Sequence, residues 1–365
     1  MSDPVAILSK LVAYRSDVVG GEERPIAEHL AELFRGLGPD RGPDEVTVGD
    51  VPRPNGKTAS WVYARYGAPK VLVNAHLDTV PPNSEWSADP FTPRVADGKL
   101  YALGACDTKG AAAAILAALA ETQSKPKDVG VLFSGDEEFS SVVMRWFVKS
   151  PHREGLERAI VCEPTNLRVG TRHRGFHAFE VTVEGPGGHS SRADTTYAPL
   201  ARLARLATAF DDWAAQHKGK GPEGFPGMCM NVAKLDGGVA FNVIPPQGRL
   251  LASIRVPPGV DSAAIGAELR ALQEQLVPEA TFTFLRENVP FATRDPASFV
   301  ELVGDAAKAP IDLGFWTEAA LLAQAGVDAV VIGPGDIAQA HGPDEWVPLD
   351  ELHRAKEMFQ RVFAR

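Results

Sequence analysis

Six short segments of this 365-residue chain carry side chains able to hold a metal ion or move a proton. His76 and Asp78 stand two apart, a spacing that turns both to one side of an extended strand. A His ligand with a carboxylate beside it is a common way to orient an imidazole on a metal. Asp107 lies in Gly104-Ala105-Cys106-Asp107-Thr108-Lys109-Gly110, at the mouth of an Ala-rich run. Three adjacent acids form Asp136-Glu137-Glu138, Glu163 opens Glu163-Pro164-Thr165, and His341 follows Gly333-Pro334-Gly335-Asp336. His189 closes Gly187-Gly188-His189. Taken singly, each has a plain reading: a surface pair, a helix N-cap, a solvated turn.

The elements that must position these residues give them a common address. Val71-Leu72-Val73, Val129 to Phe133, Ala159 to Cys162 and Ala329 to Ile332 are short apolar runs of the buried-strand type. Helical patterns lie around them. Asp3-Pro4 opens one, with Pro in its first turn; Ile26, Leu30, Leu33, Phe34 and Leu37 form a second, ending at Gly38. Thr108 to Glu121 and Leu349 to Phe363 form two more. Strands alternating with helices imply an α/β sheet covered on both faces. All of the candidate acids and histidines except His189 lie at the ends of those strands, and in open α/β sheets that edge is where ligands bind. A charge beside a buried strand is costly unless it binds something.

Imidazole mixed with carboxylate suits Zn²⁺, Co²⁺ or Mn²⁺ and not Ca²⁺. One His, one Asp, two or three Glu and a second His are too many for a single catalytic zinc with an open position. They suit two cations roughly 3.5–4 Å apart that share a carboxylate.

Between these segments the texture changes. Phe179 to Glu184, Arg249 to Val256 and Thr281 to Leu285 alternate apolar and polar, as half-exposed antiparallel strands do. Leu200, Leu203, Leu206, Phe210 and Trp213 line one helical face; Ile265, Leu269, Leu272 and Leu276 line another, with Asp261 as its N-cap. The order β-α-β-β-α-β is the ferredoxin-like plan. The chain therefore divides into 1-170, an inserted α+β domain at 171-288, and 289-365 returning to the first. The Gly- and Pro-rich stretch His217 to Met228 reads as a loop.

Composition excludes several classes. A formal net charge of −10 repels nucleic acid and anionic membrane, so neither is expected as a partner. Apolar residues at 44% and charged residues at 23% describe a globular protein with a core. The opening Met1-Ser2-Asp3-Pro4 has no signal-peptide pattern, and no stretch approaches the ~20 apolar residues of a membrane span. Three cysteines, Cys106, Cys162 and Cys229, fit a reducing compartment, so a cytoplasmic protein is expected.

Together, His76-Leu77-Asp78-Thr79-Val80-Pro81, the Asp107 segment, Asp136-Glu137-Glu138, Glu163-Pro164-Thr165, Gly187-Gly188-His189-Ser190-Ser191 and Ala340-His341-Gly342-Pro343-Asp344-Glu345 resemble the M20 metallopeptidases. The order is kept from about His76 to Glu345. The resemblance implies a zinc-aminopeptidase-like catalytic domain with an inserted lid that dimerises. Carried over, it implies that Asp107 bridges two divalent ions, zinc or cobalt. His76 and Glu163 would complete one site, Glu138 and His341 the other. Glu137 would be the general base, Asp78 would orient His76, and His189 would steady the oxyanion from the neighbouring subunit. Arg255 and Asn242 resemble the family's pair for a substrate carboxylate.

Phe315-Trp316-Thr317-Glu318-Ala319 and the Gly333 to His341 run resemble the acetylornithine and acetylcitrulline deacetylase branch of that family. The implied reaction is removal of an acetyl group from a small N-α-acetylated amino acid in arginine biosynthesis. Departures from the family pattern at Phe139-Ser140-Ser141 and Arg192-Ala193-Asp194 leave the acyl group and side chain open. The alternatives are another M20 activity (desuccinylase, aminoacylase, acetyl-lysine deacetylase, dipeptidase or carboxypeptidase) and a non-catalytic ligand-binding relative.

Overall fold

Val71–His76 and Val129–Ser134 are buried at every position, so they need cover on both faces. In the computed structural model, which describes residues 2–194, 197–223, 225, 227–304, 306 and 309–364, they pair in parallel at the centre of a mixed sheet. Met1, and Gly224 and Pro226 of the expected 217–228 loop, lie outside the described residues. The chain divides into two units: Met1–Thr171 with Thr293–Ile311 and Thr317–Arg365, and Arg172–Ala292 with Asp312–Trp316.

In the first unit the strand order is Glu45–Pro52, Thr58–Tyr66, Val129–Ser134, Val71–His76, Arg158–Val161 and Asp328–Val331. The four from Val129–Ser134 onward run parallel; the first two form an antiparallel hairpin on the edge. That hairpin was not foreseen, and it adds antiparallel pairing to the sheet. Glu45–Pro52 shows why: as an edge strand it is mostly half-exposed, with no apolar run to mark it.

Helices cover the faces. Lys109–Glu121 is buried from Lys109 through Leu119, and Ala111 to Ala114, Ala117 and Ala118 offer only methyl groups. Pro4–Leu11 and Leu349–Phe363 therefore pack close against it. Leu349–Phe363 buries Leu352, Met358, Phe359, Val362 and Phe363, each contributing about 1.5–3 kcal/mol of transfer free energy. Asp3 caps the first helix, its side chain accepting from the Val5 N–H at 3.0 Å. The second helix, Arg24–Arg35, stops two residues before Leu37; Gly38 supplies the left-handed turn that follows, at φ +74°.

The second unit is a four-stranded antiparallel sheet in the order Cys229–Asp236, Gln247–Arg255, Phe176–Glu184, Thr281–Asn288. Pro199–His217 and Ser262–Leu276 connect its strands, so the chain order is β-α-β-β-α-β. Alternate residues of Phe176–Glu184 are buried, and Phe179, Phe210 and Phe282 form the aromatic centre of its core. Asp261 caps Ser262–Leu276 through the Ala263 N–H. The strand Cys229–Asp236 escapes sequence reading because it is exposed or half-exposed throughout and has no alternation to show.

Candidate functional site

Parallel strands deliver their C-terminal ends to one edge of the first unit. His76 is the last residue of Val71–His76, paired with Ser134 at the end of its neighbour. Glu163 comes two residues after Arg158–Val161. Asp136 turns the chain at φ +67° directly after Val129–Ser134, and His341 sits at φ +62° after the Asp328–Val331 strand and a single 3₁₀ turn. Asp107 precedes the Lys109–Glu121 helix, and the Thr108 hydroxyl ties that loop to both the N–H and the carbonyl of His76 at 3.0 Å.

His76, Asp107, His341 and Glu138 meet. His76 Nε2 lies 2.9 Å from Asp107 Oδ1. His341 Nε2 lies 3.3 Å from Asp107 Oδ2 and 2.9 Å from Glu138 Oε1. His76, Asp107 and Glu138 each present a ligand atom within 4.8 Å of the others. The other ring nitrogen of His76 faces the main-chain oxygen of Asp78 at 2.9 Å. That bond requires Nδ1 to carry the hydrogen, so Nε2 of a neutral ring points a lone pair at a carboxylate oxygen. Two acceptors at that distance need a cation between them, either a proton or a metal.

Electrostatics say the same. Burial would lower the His76 pKa, yet Asp107 and Asp78 hold it well above the usual imidazole range. Asp107 and Glu138 raise His341 to about 10. Burial, then the charge of Asp107 and Glu137, pushes Glu163 well up; burial, then Glu138, Glu318 and Asp78, pushes up Glu137 against the pull of His76. So many carboxylates in one dry edge cannot all ionise without cations. The donor set, imidazole nitrogen with carboxylate oxygen and one carboxylate open to both histidines, fits a pair of borderline divalent ions.

Buried polar groups surround this centre. The Asp78 carboxylate accepts the main-chain N–H groups of Glu137 at 3.1 Å and Glu138 at 3.0 Å, so it shapes the acidic turn. It stands 3.6 Å from His76 Nδ1, farther than its own carbonyl. Arg53 pairs with Glu23 and sits 2.7 Å from Asp136, angled as an ion pair and not a hydrogen bond. Glu23 also accepts the Ser60 N–H at 2.6 Å. Glu23 and Arg53 line a cavity of about 440 Å³ with Gly20, Gly21, Lys57 and others, none of them a candidate ligand.

Behind His76, Asn74 Nδ2 donates to Ser134 Oγ at 3.0 Å and Ser134 Oγ to Glu318 Oε2 at 2.9 Å. Glu318 is buried and pushed up to about 8 by that burial. Burial and the Asp107 charge push Glu345 up to about 7, against three main-chain N–H donors. Lys109 is wholly buried, its ammonium on the Tyr14 carbonyl at 3.0 Å. Glu318 and Glu345 were within quoted motifs; Arg53 and Glu23 lay in none.

His189, Asn242 and Arg255 belong to the second unit. His189 is exposed, pairs with Val243 in a short ladder, and holds Ser191 through Nδ1 at 2.9 Å. Asn242 is its neighbour, accepting the Ser190 N–H at 3.1 Å through its main chain. Arg255, at the end of Gln247–Arg255, stacks its guanidinium 4.2 Å over the Phe176 ring.

The sequence profile of the family described as Peptidase family M20/M25/M40 matches residues 72–365. An N-acetyl-L-citrulline deacetylase of Xanthomonas campestris pv. campestris is 33% identical over 323 residues, covering 84% of this chain and 85% of that protein. A succinyl-diaminopimelate desuccinylase of Stenotrophomonas maltophilia is 30% identical over 348 residues, covering 88% and 89%. The crystal structure of an M20 family metallo-carboxypeptidase, Sso-CP2 from Sulfolobus solfataricus, shares the fold at TM-score 0.78 and 18% identity, over 100% of this chain and 99% of that one. With its acidic strand edge and this match over most of its length, the chain belongs to the M20/M25/M40 peptidase family and is a metal-dependent amide hydrolase.

Proposed function

We propose that the protein removes the acetyl group from an N-α-acetylated amino acid, acetylcitrulline or acetylornithine, as a step in arginine biosynthesis. The observation that carries the chemistry is the sharing of one carboxylate: Asp107 Oδ1 faces His76 and Asp107 Oδ2 faces His341. Asp107 would bridge two divalent ions, zinc or cobalt, with His76 and Glu163 on one and Glu138 and His341 on the other. When bound, such a pair makes water acidic enough to supply hydroxide near neutral pH.

The chain's own residues do the rest in this reading. Glu137 takes the proton of the attacking water and returns it to the leaving amine. Asp78 holds the turn from which Glu137 and Glu138 project. His189 donates to the carbonyl oxygen as it gains charge. Arg255, with Asn242, binds the free α-carboxylate, a role its fixed fork of donors suits. The inserted unit acts as lid and dimer contact, and the exposed edge of Cys229–Asp236 is a surface able to pair.

The match to the N-acetyl-L-citrulline deacetylase supports the acetyl reading. The desuccinylase match at 30% identity favours a second reading, in which the acyl group carries its own carboxylate. Hydrolysis of N-acetylornithine, N-acetylcitrulline, N-acetyllysine and N-succinyl-diaminopimelate, measured side by side, separates them. Preference for the succinyl substrate would overturn the deacetylase reading.

A further inference from the structure

Residues 341–345 bring the chain back over the loop that carries Asp107. His341 and Asp344 adopt left-handed backbone at φ +62° and +53°, with Pro343 between them. This tight return lets both ends of a five-residue segment face one partner. At one end, His341 Nε2 reaches the Asp107 carboxylate at 3.3 Å. At the other, Glu345 Oε1 accepts the main-chain N–H of Asp107 at 3.0 Å and that of Cys106 at 2.8 Å. Glu345 Oε2 accepts the N–H of Gly104 at 3.0 Å.

Both oxygens of this buried carboxylate are thus spent on one loop. Its own backbone is anchored too: the Glu345 carbonyl accepts the Ala102 N–H at 3.0 Å, and Trp346 pairs with Tyr101 in a short sheet. A carboxylate this deep is costly unless hydrogen-bonded, and charge-assisted bonds to N–H groups are the strong kind. The three bonds fix the backbone from Gly104 to Asp107, and with it the direction in which the Asp107 side chain leaves the chain. A carboxylate that bridges two cations has to present both oxygens within about 0.5 Å of the productive geometry.

We infer that Glu345 is a positioning residue for Asp107, setting the aim of the bridging carboxylate from its main-chain side while His341 meets it from the other. The inference rests on the two-cation reading above. It implies that the loop is shaped before any metal arrives.

The test uses the whole chain, metal-free and then titrated with cobalt, as wild type and as Glu345→Gln. The Gln side chain keeps the size but loses the charge, and its NH₂ must oppose at least one of the three N–H groups. In metal-free wild type the amides of Gly104, Cys106 and Asp107 should exchange slowly with solvent. In Glu345→Gln they should exchange roughly tenfold faster or more. Cobalt affinity, measured by competition with a chelator, should fall about 10–100-fold, and the visible spectrum of the bound cobalt should change. Far-ultraviolet circular dichroism should not.

Rapid exchange of those three amides in metal-free wild type overturns the inference, and this measurement decides it even if the variant fails to fold. Loosened amides in the variant with unchanged cobalt affinity and spectrum also overturn it, since the loop would then be held without aiming Asp107. Uptake of a single cobalt by wild type refutes the two-cation reading instead; the amide and affinity comparison still decides what Glu345 does.

Discussion

Replacing Arg53 by Met should destabilise the first unit, and by an amount that depends on pH. The Arg53 side chain is 4% exposed, and its partners Glu23 and Asp136 are 2% and 0% exposed. Burial, with the charge of Asp78 adding to it, raises the Glu23 carboxyl from 4.5 to about 8, while Arg53 and the Ser60 N–H pull it down. Without Arg53 the folded-state value climbs further. A carboxyl whose folded pKa exceeds its unfolded one stabilises the fold below the unfolded value, and that stability is lost as pH rises towards the folded value. Each pH unit in that window costs about 1.36 kcal/mol for one proton. Wild type already loses about 4 kcal/mol in this way between pH 5 and pH 8, so the loss that Arg53→Met adds opens above pH 8, at about 1.4 kcal/mol per pH unit up to the variant's own folded-state value. Urea unfolding of both metal-free proteins at pH 6.5, 8 and 9.5 measures it, and the stacked pair Trp61–Trp146 supplies a near-ultraviolet signal from the same unit. Glu23→Gln in the Arg53→Met background should restore most of the added loss at pH 9.5. A loss below about 1 kcal/mol that is the same at all three pH values would refute the reasoning. Activity should fall with stability, because Asp136 opens the turn that carries Glu137 and Glu138.

Removal of the shared carboxylate in Asp107→Ala should abolish turnover and lower metal content at both sites; two retained metals by elemental analysis would sink the bridge. Glu137→Gln should keep its metals while kcat falls about 10²–10⁴-fold, whereas Glu138→Gln should weaken one metal, and the reverse pattern would exchange their roles. Arg255→Ala should lower kcat/KM for free-acid substrates far more than for their methyl esters; equal losses would remove Arg255 from carboxylate binding. Co-expressing Glu137→Ala with His189→Ala should restore activity in mixed dimers if His189 acts across subunits. No recovery, with mixed dimers present, would show that it does not.

The strand edge was legible because charge beside a buried strand is expensive, so acids placed there ask for a reason. That argument reached His76, Asp107, the Asp136-Glu137-Glu138 turn, Glu163 and His341, and the family resemblance picked Glu138 from the turn; the structure brings His76, Asp107, Glu138 and His341 within contact. It did not reach Arg53 or Glu23. Neither follows a buried strand, and their burial depends on partners far away in the chain. Asp78 shows a subtler gap: a spacing of two suggests that its carboxylate orients His76, but spacing cannot tell a side chain from a carbonyl, and the carbonyl is nearer. Exposed edges were the weak point of fold reading. Glu45–Pro52 buries only Val51, with Val46 and Val48 half-buried, and Cys229–Asp236 buries no residue, so both leave a fainter mark on the sequence than a buried strand does.

The place of Asp328–Val331 in the sheet has a consequence for how the chain is made. This strand pairs with Arg158–Val161, yet about 170 residues separate them, which synthesis at about 5–20 residues per second takes roughly 10–30 s to supply. All four strands of the second unit's sheet, Phe176–Glu184 to Thr281–Asn288, emerge within that interval. The later-starting unit is therefore equipped to finish first, while the earlier one waits with one edge of Arg158–Val161 unpaired and with Lys109–Glu121 uncovered by Leu349–Phe363. A newborn chain is most exposed to mispairing in that window, which closes only as its last helix is released.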